Sequence, residues 1–265
     1  MRRRVNGSLP AALAAREPTG LRVALVAAHP DDETIGAGAS LALFRNLVLI
    51  HVTDGAPRSG HDAEAAGHAS PDAYAAARRA ELDAALAAGG VEAERIEFGV
   101  SDQGATAAMA ATARRLAVLF AERRVEAVLT HAYEGGHPDH DATAWSVRGA
   151  ARLGPARPNV FEMLSYHAKP GGGIETSCFL PGPEPVTAWL SEAEQARKRA
   201  MLACFASQAA TLAAFGAAHE AFRAAPRYDF AAPPHPGPAY YDGFDWGMTS
   251  AAWRDAARGA RPCGP

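Results

Sequence analysis

The stretch LRVALVAAHPDDET, Leu21 to Thr34, decides how the chain is to be read. From Leu21 to Ala28 it is an almost uninterrupted apolar run containing two valines, the pattern of a strand buried on both faces. His29-Pro30 ends the run, and Asp31-Asp32-Glu33 follows, acids that suit the first turn of a helix. A buried strand passing at once into a helix is the opening of a βαβ unit.

Comparable runs recur at Leu47 to Thr53, Arg95 to Phe98, Val125 to Thr130 and Asn159 to Tyr166. Between them, alanine-rich segments carry helical spacing near Glu33 to Arg45, Pro71 to Ala88, Thr106 to Arg124 and Asp141 to Leu153. This alternation predicts an α/β fold: a doubly wound, mostly parallel Rossmann-like sheet with helices on both faces. Ser70-Pro71 and Asp141 read as helix starts, and Gly89-Gly90 as a stop. After about residue 167 come a Gly-rich loop (Gly171 to Gly173), Pro-rich turns (Pro181 to Pro185), a helix from Ser191 to about Ser207, and a tail rich in proline and aromatics from Pro226 to Pro238. The expected organisation is one domain over residues 1–265, with 1–20 a loose N-terminal arm and about 211–265 an irregular aromatic, Pro-rich extension.

A net charge of −3 with scattered basic residues, apart from clusters such as Arg2 to Arg4, argues against a nucleic-acid partner. No apolar run approaches the roughly 20 residues that span a bilayer, so no membrane partner is expected. The basic start and the short segment Leu9 to Ala15, which contains Pro10, read as part of the loose arm rather than a signal peptide. Three cysteines (Cys178, Cys204, Cys263) without C-x-x-C spacing give neither a disulfide framework nor a thiolate site, which points to a reducing, cytoplasmic setting.

Chemistry concentrates at two places. His29-Pro30-Asp31-Asp32-Glu33 crowds three acids and an imidazole onto one strand end, where their mutual repulsion is better explained by a cation than by a solvated face. His137-Pro138-Asp139-His140-Asp141 repeats the vocabulary after the fourth strand, behind Gly135-Gly136. In the commonest doubly wound order the first and fourth strands are neighbours, and ligands bind beyond their carboxyl ends, where the winding reverses. Both clusters fall at that point, which predicts a metal site.

With these motifs in place, His-Pro-Asp-Asp-Glu and His-Pro-Asp-His resemble the paired signatures of the LmbE-like, or PIG-L, deacetylases. The resemblance extends to Thr53-Asp54-Gly55, to Arg78-Arg79-Ala80-Glu81-Leu82, to Asp102, and to Lys198 with Ser207-Gln208, covering about residues 21 to 210. It implies an LmbE-like fold and zinc-dependent hydrolysis of an N-acetyl group from a small amino sugar or aminocyclitol. A His₂-carboxylate set also accepts Fe²⁺ or Co²⁺. The resemblance further implies that His29, Asp32 and His140 bind the metal, that Asp31 is the general base, and that a protonated His137, oriented by Asp139, faces the developing oxyanion. Arg78 and Asp102 are implied to touch sugar hydroxyls. From the residues alone, Arg78 is equally a helix i,i+3 partner of Glu81, and Asp102 a turn residue in Ser101-Asp102-Gln103-Gly104. Tyr133 either packs at the strand end or covers the pocket as a lid or oxyanion donor, and Glu134 adds a carboxylate of open role.

Three rivals stand beside this reading. A dinucleotide-binding module is disfavoured because the first turn holds carboxylates, which repel pyrophosphate, while Gly36 and Gly38 lie beyond the turn, where they permit close helix packing. An amidase cleaving a larger acyl group or a thiol conjugate would use the same site. A carbohydrate-binding protein without turnover would not need Asp31 and His137 intact. His61, His68 and His131 read as loop or strand-end residues, and His235 as a surface residue; substrate identity and oligomeric state are not encoded in any local pattern.

Overall fold

The computed structural model describes residues 9–261; Arg2 to Arg4 and Cys263 lie outside the described residues. In chain order the elements are α1 (Leu9–Ala14), β1 (Thr19–Ala27), α2 (Asp32–Ala37), β2 (Phe44–Pro57), α3 (His61–Ala65), α4 (Pro71–Gly89), β3 (Glu94–Asp102), α5 (Ala105–Glu122), β4 (Ala127–Thr130), α6 (Pro138–Leu153) and β5 (Asn159–Met163). Then follow β6 (His167–Ala168), β7 (Ile174–Glu175), β8 (Val186–Trp189), α7 (Glu192–Ala203), α8 (Ala209–Leu212), β9 (His219–Ala224) and α9 (Ser250–Gly259).

The central sheet has the order β3-β2-β1-β4-β5-β9-β8, parallel from β3 to β5 and antiparallel at β9 and β8. Side chains on a strand alternate between faces, so β1 sends Val23, Leu25 and Ala27 into one core and Ala24 and Val26 into the other. The first core also takes Leu82 and Leu86 of α4 and Met201 of α7; the second takes Met109, Leu116 and Phe120 of α5 and Trp145 of α6. Leu25, Leu49 and Leu129 are wholly buried, each such side chain contributing about 1.5–3 kcal/mol of transfer free energy. Winding runs outward from β1 through β2 and β3, then resumes on the other side at β4, which places the reversal between β1 and β4, whose residues Val26 and Thr130 are in register.

Helix boundaries follow local chemistry. Ser70 caps α4 by accepting from the Ala73 N–H, with Pro71 in the first turn, and Gly90 closes it in the left-handed region at φ 62°. The helix expected to reach Arg45 stops at Ala37, because the apolar run beginning at Phe44 is drawn into a β2 far longer than expected. Gly36 is needed where α2 crosses β5, since a Cβ there would lie 2.6 Å from Met163 Sδ.

Two other expectations are overturned. The arm is not loose over residues 9–20: Leu9 and Leu13 share one helical face and are buried, and Pro10 sits in the first turn, which tolerates it. Arg16 then ties this segment down, its Nε bonding Glu194 Oε1 at 2.7 Å, Nη1 donating to Ser40 Oγ at 2.6 Å and Nη2 to the Ala39 carbonyl at 2.8 Å. Nor is 211–265 simply irregular. β9 is inserted between β5 and β8, and α9 buries Trp253 completely. The apolar positions Trp253 and Ala257 lie one helical turn apart among polar neighbours, a pattern too short to announce itself in the sequence. The proline-rich segment between β9 and α9 has no strand or helix beyond a 3-10 turn at Tyr240–Gly243.

Candidate functional site

β1 delivers His29 and β4 delivers His131 side by side, and the Ala28 N–H donates to His131 Nε2 at 3.0 Å, a bond that ties the two strand ends together. α6 begins with Pro138 in its first turn and His137 as its cap, so His137 and His140 enter the same space from one helical turn. Side chains of the two clusters interlock around Asp32. Its Oδ2 lies 3.2 Å from His29 Nδ1 and 3.4 Å from His131 Nε2, and its Oδ1 lies 3.1 Å from His140 Nε2. His131 stacks on His140 with ring centroids 4.0 Å apart.

Three groups bring ligand-type atoms within 4.8 Å of one another: His29, His137 and His140; His29, Asp102, His137 and Asp139; and Asp32, His131 and His140. The expected ligands His29, Asp32 and His140 are drawn from these groups. All three are under 9% exposed, and the donors are imidazoles and carboxylates, the chemistry of a zinc-like divalent ion. Burial raises the Asp32 carboxyl, but His140 and His131 outweigh it and hold the group well below the usual carboxylate range. Burial lowers the His140 ring to about 4 against the opposing pull of Asp32.

Asp31 points elsewhere. Burial pushes its carboxyl up to about 8, with Arg78 opposing and Asp32 adding to the rise. Its Oδ2 accepts from Arg78 Nη2 at 2.9 Å, and the same Nη2 donates to the Pro30 carbonyl at 2.7 Å. Arg78 is 3% exposed and not paired with Glu81, which instead accepts from the Ser207 N–H and Oγ. Its Nη2 is thus engaged by the protein, and the side chain is not presented to solvent. Asp102 remains partly exposed at the end of β3, 3.1 Å from His29 Nε2 and 3.9 Å from His137 Nε2.

Asp139 does not orient His137 with its carboxylate. The carboxylate accepts from the Gln103 N–H at 2.6 Å and the Ala105 N–H at 3.0 Å, and its Oδ2 lies 3.4 Å from His29 Nε2. What meets His137 Nδ1 is the Asp139 backbone N–H, at 3.1 Å. An Nδ1 that accepts cannot carry a proton, so the ring is neutral with its N–H at Nε2. Burial and the neighbouring His29 push its pKa down to about 3, which overturns the expectation of a protonated imidazolium.

Tyr133 packs: it is 3% exposed, lies against Tyr228, Phe230 and Trp253, and its hydroxyl donates to the Ala232 carbonyl at 2.9 Å. Glu134 accepts from the Leu180 N–H at 2.7 Å and faces Arg223, a structural tie for the loop beyond β7. Lys198 donates to the Ile35 carbonyl at 2.7 Å and pairs with Glu220. The C-terminal segment closes over the site: the Tyr240 N–H donates to the Gly135 carbonyl, Tyr241 OH bonds Asp141, and Trp246 lies 4.9 Å from His137 while stacking on Phe244. Sequence reasoning missed His131, whose signal was its position immediately after the switch-point strand, and Glu33 with His51, whose buried contact at 2.9 Å joins residues far apart in the chain.

Residues 24–151 match the family model described as PIG-L: GlcNAc-PI de-N-acetylase. A 1D-myo-inositol 2-acetamido-2-deoxy-alpha-D-glucopyranoside deacetylase 2 of Catenulispora acidiphila is 35% identical over 161 residues, 50% of this chain and 52% of that protein. A deacetylase of the same description from Kineococcus radiotolerans is 34% identical over 150 residues, 45% of this chain and 41% of that protein. The chain therefore spans about half the length of the curated relatives it matches. Among solved structures, a triple mutant of a deacetylase of the teicoplanin biosynthetic pathway superposes with a TM-score of 0.60 at 21% identity, covering 78% of this chain and 99% of the other. The A40926 pseudoaglycone deacetylase Dbv21 gives 0.58 at 22% identity, with 79% and 99% covered. GalB, the 4-carboxy-2-hydroxymuconate hydratase of Pseudomonas putida, gives 0.54 at 18% identity, with 78% and 98% covered, so the fold is shared across more than one chemistry. Both His-Asp clusters, joined at the reversal of the sheet, lie within the stretch that matches the PIG-L (LmbE-like) family model.

Proposed function

We propose that the chain is a metal-dependent hydrolase that removes an N-acetyl group from an amino sugar or related small glycoconjugate. The observation that carries the reading is the meeting of His29 and His140 on the two oxygens of Asp32, with Asp31, the adjacent residue, turned away from them. The curated relatives are named as deacetylases of an N-acetylated glucosaminyl inositol, which supports an amino sugar as substrate class.

A divalent ion held by His29, Asp32 and His140 would polarise the acyl carbonyl and bring the pKa of water toward neutrality. Asp31 accepts the proton of the attacking water on its carboxylate and passes it to the nitrogen that leaves, so that amide and water become amine and carboxylic acid. His137 offers its Nε2–H to the carbonyl oxygen as charge builds there. Asp102, partly exposed beside His29 and His137, would accept from a sugar hydroxyl in this reading. Residues 9–261 act as one domain in this reading, because the C-terminal segment is docked on the loop that carries the second cluster. Free Cys178 and Cys204 agree with a reducing, cytoplasmic setting, and no helix among the described residues is long and apolar enough to cross a membrane.

A second reading, cleavage of a larger acyl group, is favoured by the stacked Phe244 and Trp246 beside His137. One assay separates the two: release of acetate or of a bulkier acid from a panel of N-acylated amino sugars and aminocyclitols, with metal content measured on the same sample. A teicoplanin deacetylase of like fold has a zinc inhibited form, so zinc is titrated through and beyond one equivalent beside iron and cobalt. A fully metal-loaded protein that hydrolyses no member of the panel sinks the proposal.

A further inference from the structure

Asp31 has φ 144° and ψ −27°, a backbone conformation that residues with a side chain rarely adopt and that is held only where the surroundings dictate it. The Pro30–Asp31 peptide group, which precedes its Cα, is gripped at both of its polar atoms. The Pro30 carbonyl accepts from Arg78 Nη2 at 2.7 Å, and the Asp31 N–H donates to Glu33 Oε2 at 3.1 Å. The carboxylate itself accepts from the same Arg78 nitrogen at 2.9 Å.

Each grip is itself fixed. Glu33 is wholly buried, takes a bond from Thr34 Oγ1 at 2.6 Å through its other oxygen, and is backed by His51 Nε2 at 2.9 Å. Arg78 reaches Asp31 across Gly55, where an added Cβ would stand 3.1 Å from the guanidinium carbon and 3.0 Å from Pro30 Cδ, and where φ is +66°. A glycine there leaves room for the charged group to pass. Two long polar side chains from different elements, α4 and α2, therefore converge on one strained residue, and neither is presented to solvent.

We infer that Arg78 and Glu33 are positioning residues that hold the Pro30–Asp31 peptide at its carbonyl and its N–H, with Arg78 also holding the Asp31 carboxylate, and so fix the direction from which that carboxylate takes a proton. The inference rests on the reading of Asp31 as general base. Glu33, the third acid of the first cluster, thereby acts on the backbone rather than on a metal, and Arg78 acts on the base rather than on the substrate.

The test uses the metal-loaded chain and the variants Arg78→Lys and Glu33→Gln, each alone and combined with Asp31→Asn. Displacing a reacting group by about 1 Å can cost about 10²-fold in rate, so each single variant should lose on the order of 10²-fold in kcat with KM and metal content little changed. In the Asp31→Asn background the same substitutions should cost almost nothing more, because residues acting as a unit are not additive. A raised KM for Arg78→Lys, with losses that multiply, would make Arg78 a substrate contact and overturn its part. Crystal structures of the two variants give a readout independent of turnover: Asp31 should leave its φ near 144° in both, and an unmoved Asp31 overturns the clamp. A wild-type protein inactive on every N-acyl substrate sinks the reading of the site, while those structures still decide whether the clamp exists. Glu33→Gln keeps shape and volume, so it decides even if Arg78→Lys fails to fold.

Discussion

Asp139 meets His137 through its backbone amide, not its carboxylate: the Asp139 N–H donates to His137 Nδ1 at 3.1 Å. The ring proton therefore sits at Nε2, and with burial holding the pKa down to about 3 the imidazole is neutral throughout the working range. His137→Ala should lose about 10²- to 10³-fold in kcat, the usual cost of an oxyanion donor, and His137→Gln, which keeps an N–H, should recover part of it. Neither should alter the basic limb of the pH–rate profile, since His137 has no proton to lose there. Disappearance of that limb in His137→Gln would restore the protonated imidazolium.

Metal content separates ligands from props. The purified protein should carry about one divalent ion per chain, and Asp32→Ala or His140→Ala should leave the site nearly empty, because three protein ligands share the binding. His131 is bound to the Ala28 N–H through Nε2 and stacks on His140, which makes it a support. His131→Ala should still bind metal, with affinity about 10- to 100-fold weaker. Full occupancy in His140→Ala, or none in His131→Ala, would exchange their roles.

Asp31→Asn keeps the shape that Arg78 grips and the oxygen that accepts from it, but cannot take a proton. Turnover should fall by about 10²- to 10⁴-fold in kcat, with metal and KM retained. Asp32→Asn should instead lose metal. Elemental analysis beside steady-state kinetics on both variants decides, and loss of metal in Asp31→Asn reverses the assignment.

The Arg16–Glu194 pair predicts an acid sensitivity of the fold that lies away from the metal cluster. Burial raises the Glu194 carboxyl, but bonds from the Ser191 N–H and hydroxyl and from Arg16 bring it down to about 2. A carboxyl lowered in the folded state adds stability that is present above its ordinary value near 4.5 and is lost as pH falls from there toward 2. Screening at this partly exposed pair limits the effect to roughly 1 kcal/mol. Urea denaturation at pH 7 and pH 3 should therefore show a smaller acid-induced loss in Glu194→Gln than in the wild type. An equal loss in both would remove the pair from the acid response.

Much of the fold follows from local pattern, because strand and helix periodicity are properties of neighbouring residues. Leu21 to Ala28 alternates into two cores, and the reversal between β1 and β4 follows from the preferred winding of such units. The same reasoning placed His29 and His137 at one end of the sheet, where the structure brings their side chains together, so the location of a candidate metal site was legible before any coordinates. Residue types there, imidazole and carboxylate without thiolate, are donors that suit a divalent first-row ion.

Other features were settled only by the tertiary structure, because each depends on which distant backbone group a polar side chain reaches first. Asp139 spends its carboxylate on Gln103 and Ala105, which leaves His137 to a peptide N–H. Arg78 turns inward to Asp31 because Gly55 opens the way, and Glu81, its helix neighbour, is taken by Ser207. Leu9 to Arg16 becomes part of the core because Ser40 and Glu194 stand ready for Arg16, and α9 forms over a Trp253 whose indole N–H donates to the Pro138 carbonyl at 3.0 Å. A buried polar group must find a partner or bear the cost of desolvation, and in this chain many of those partners lie far from it in sequence, which is why the sequence located the candidate site while the packed structure alone decided the contacts of Arg78, Glu33 and Asp139.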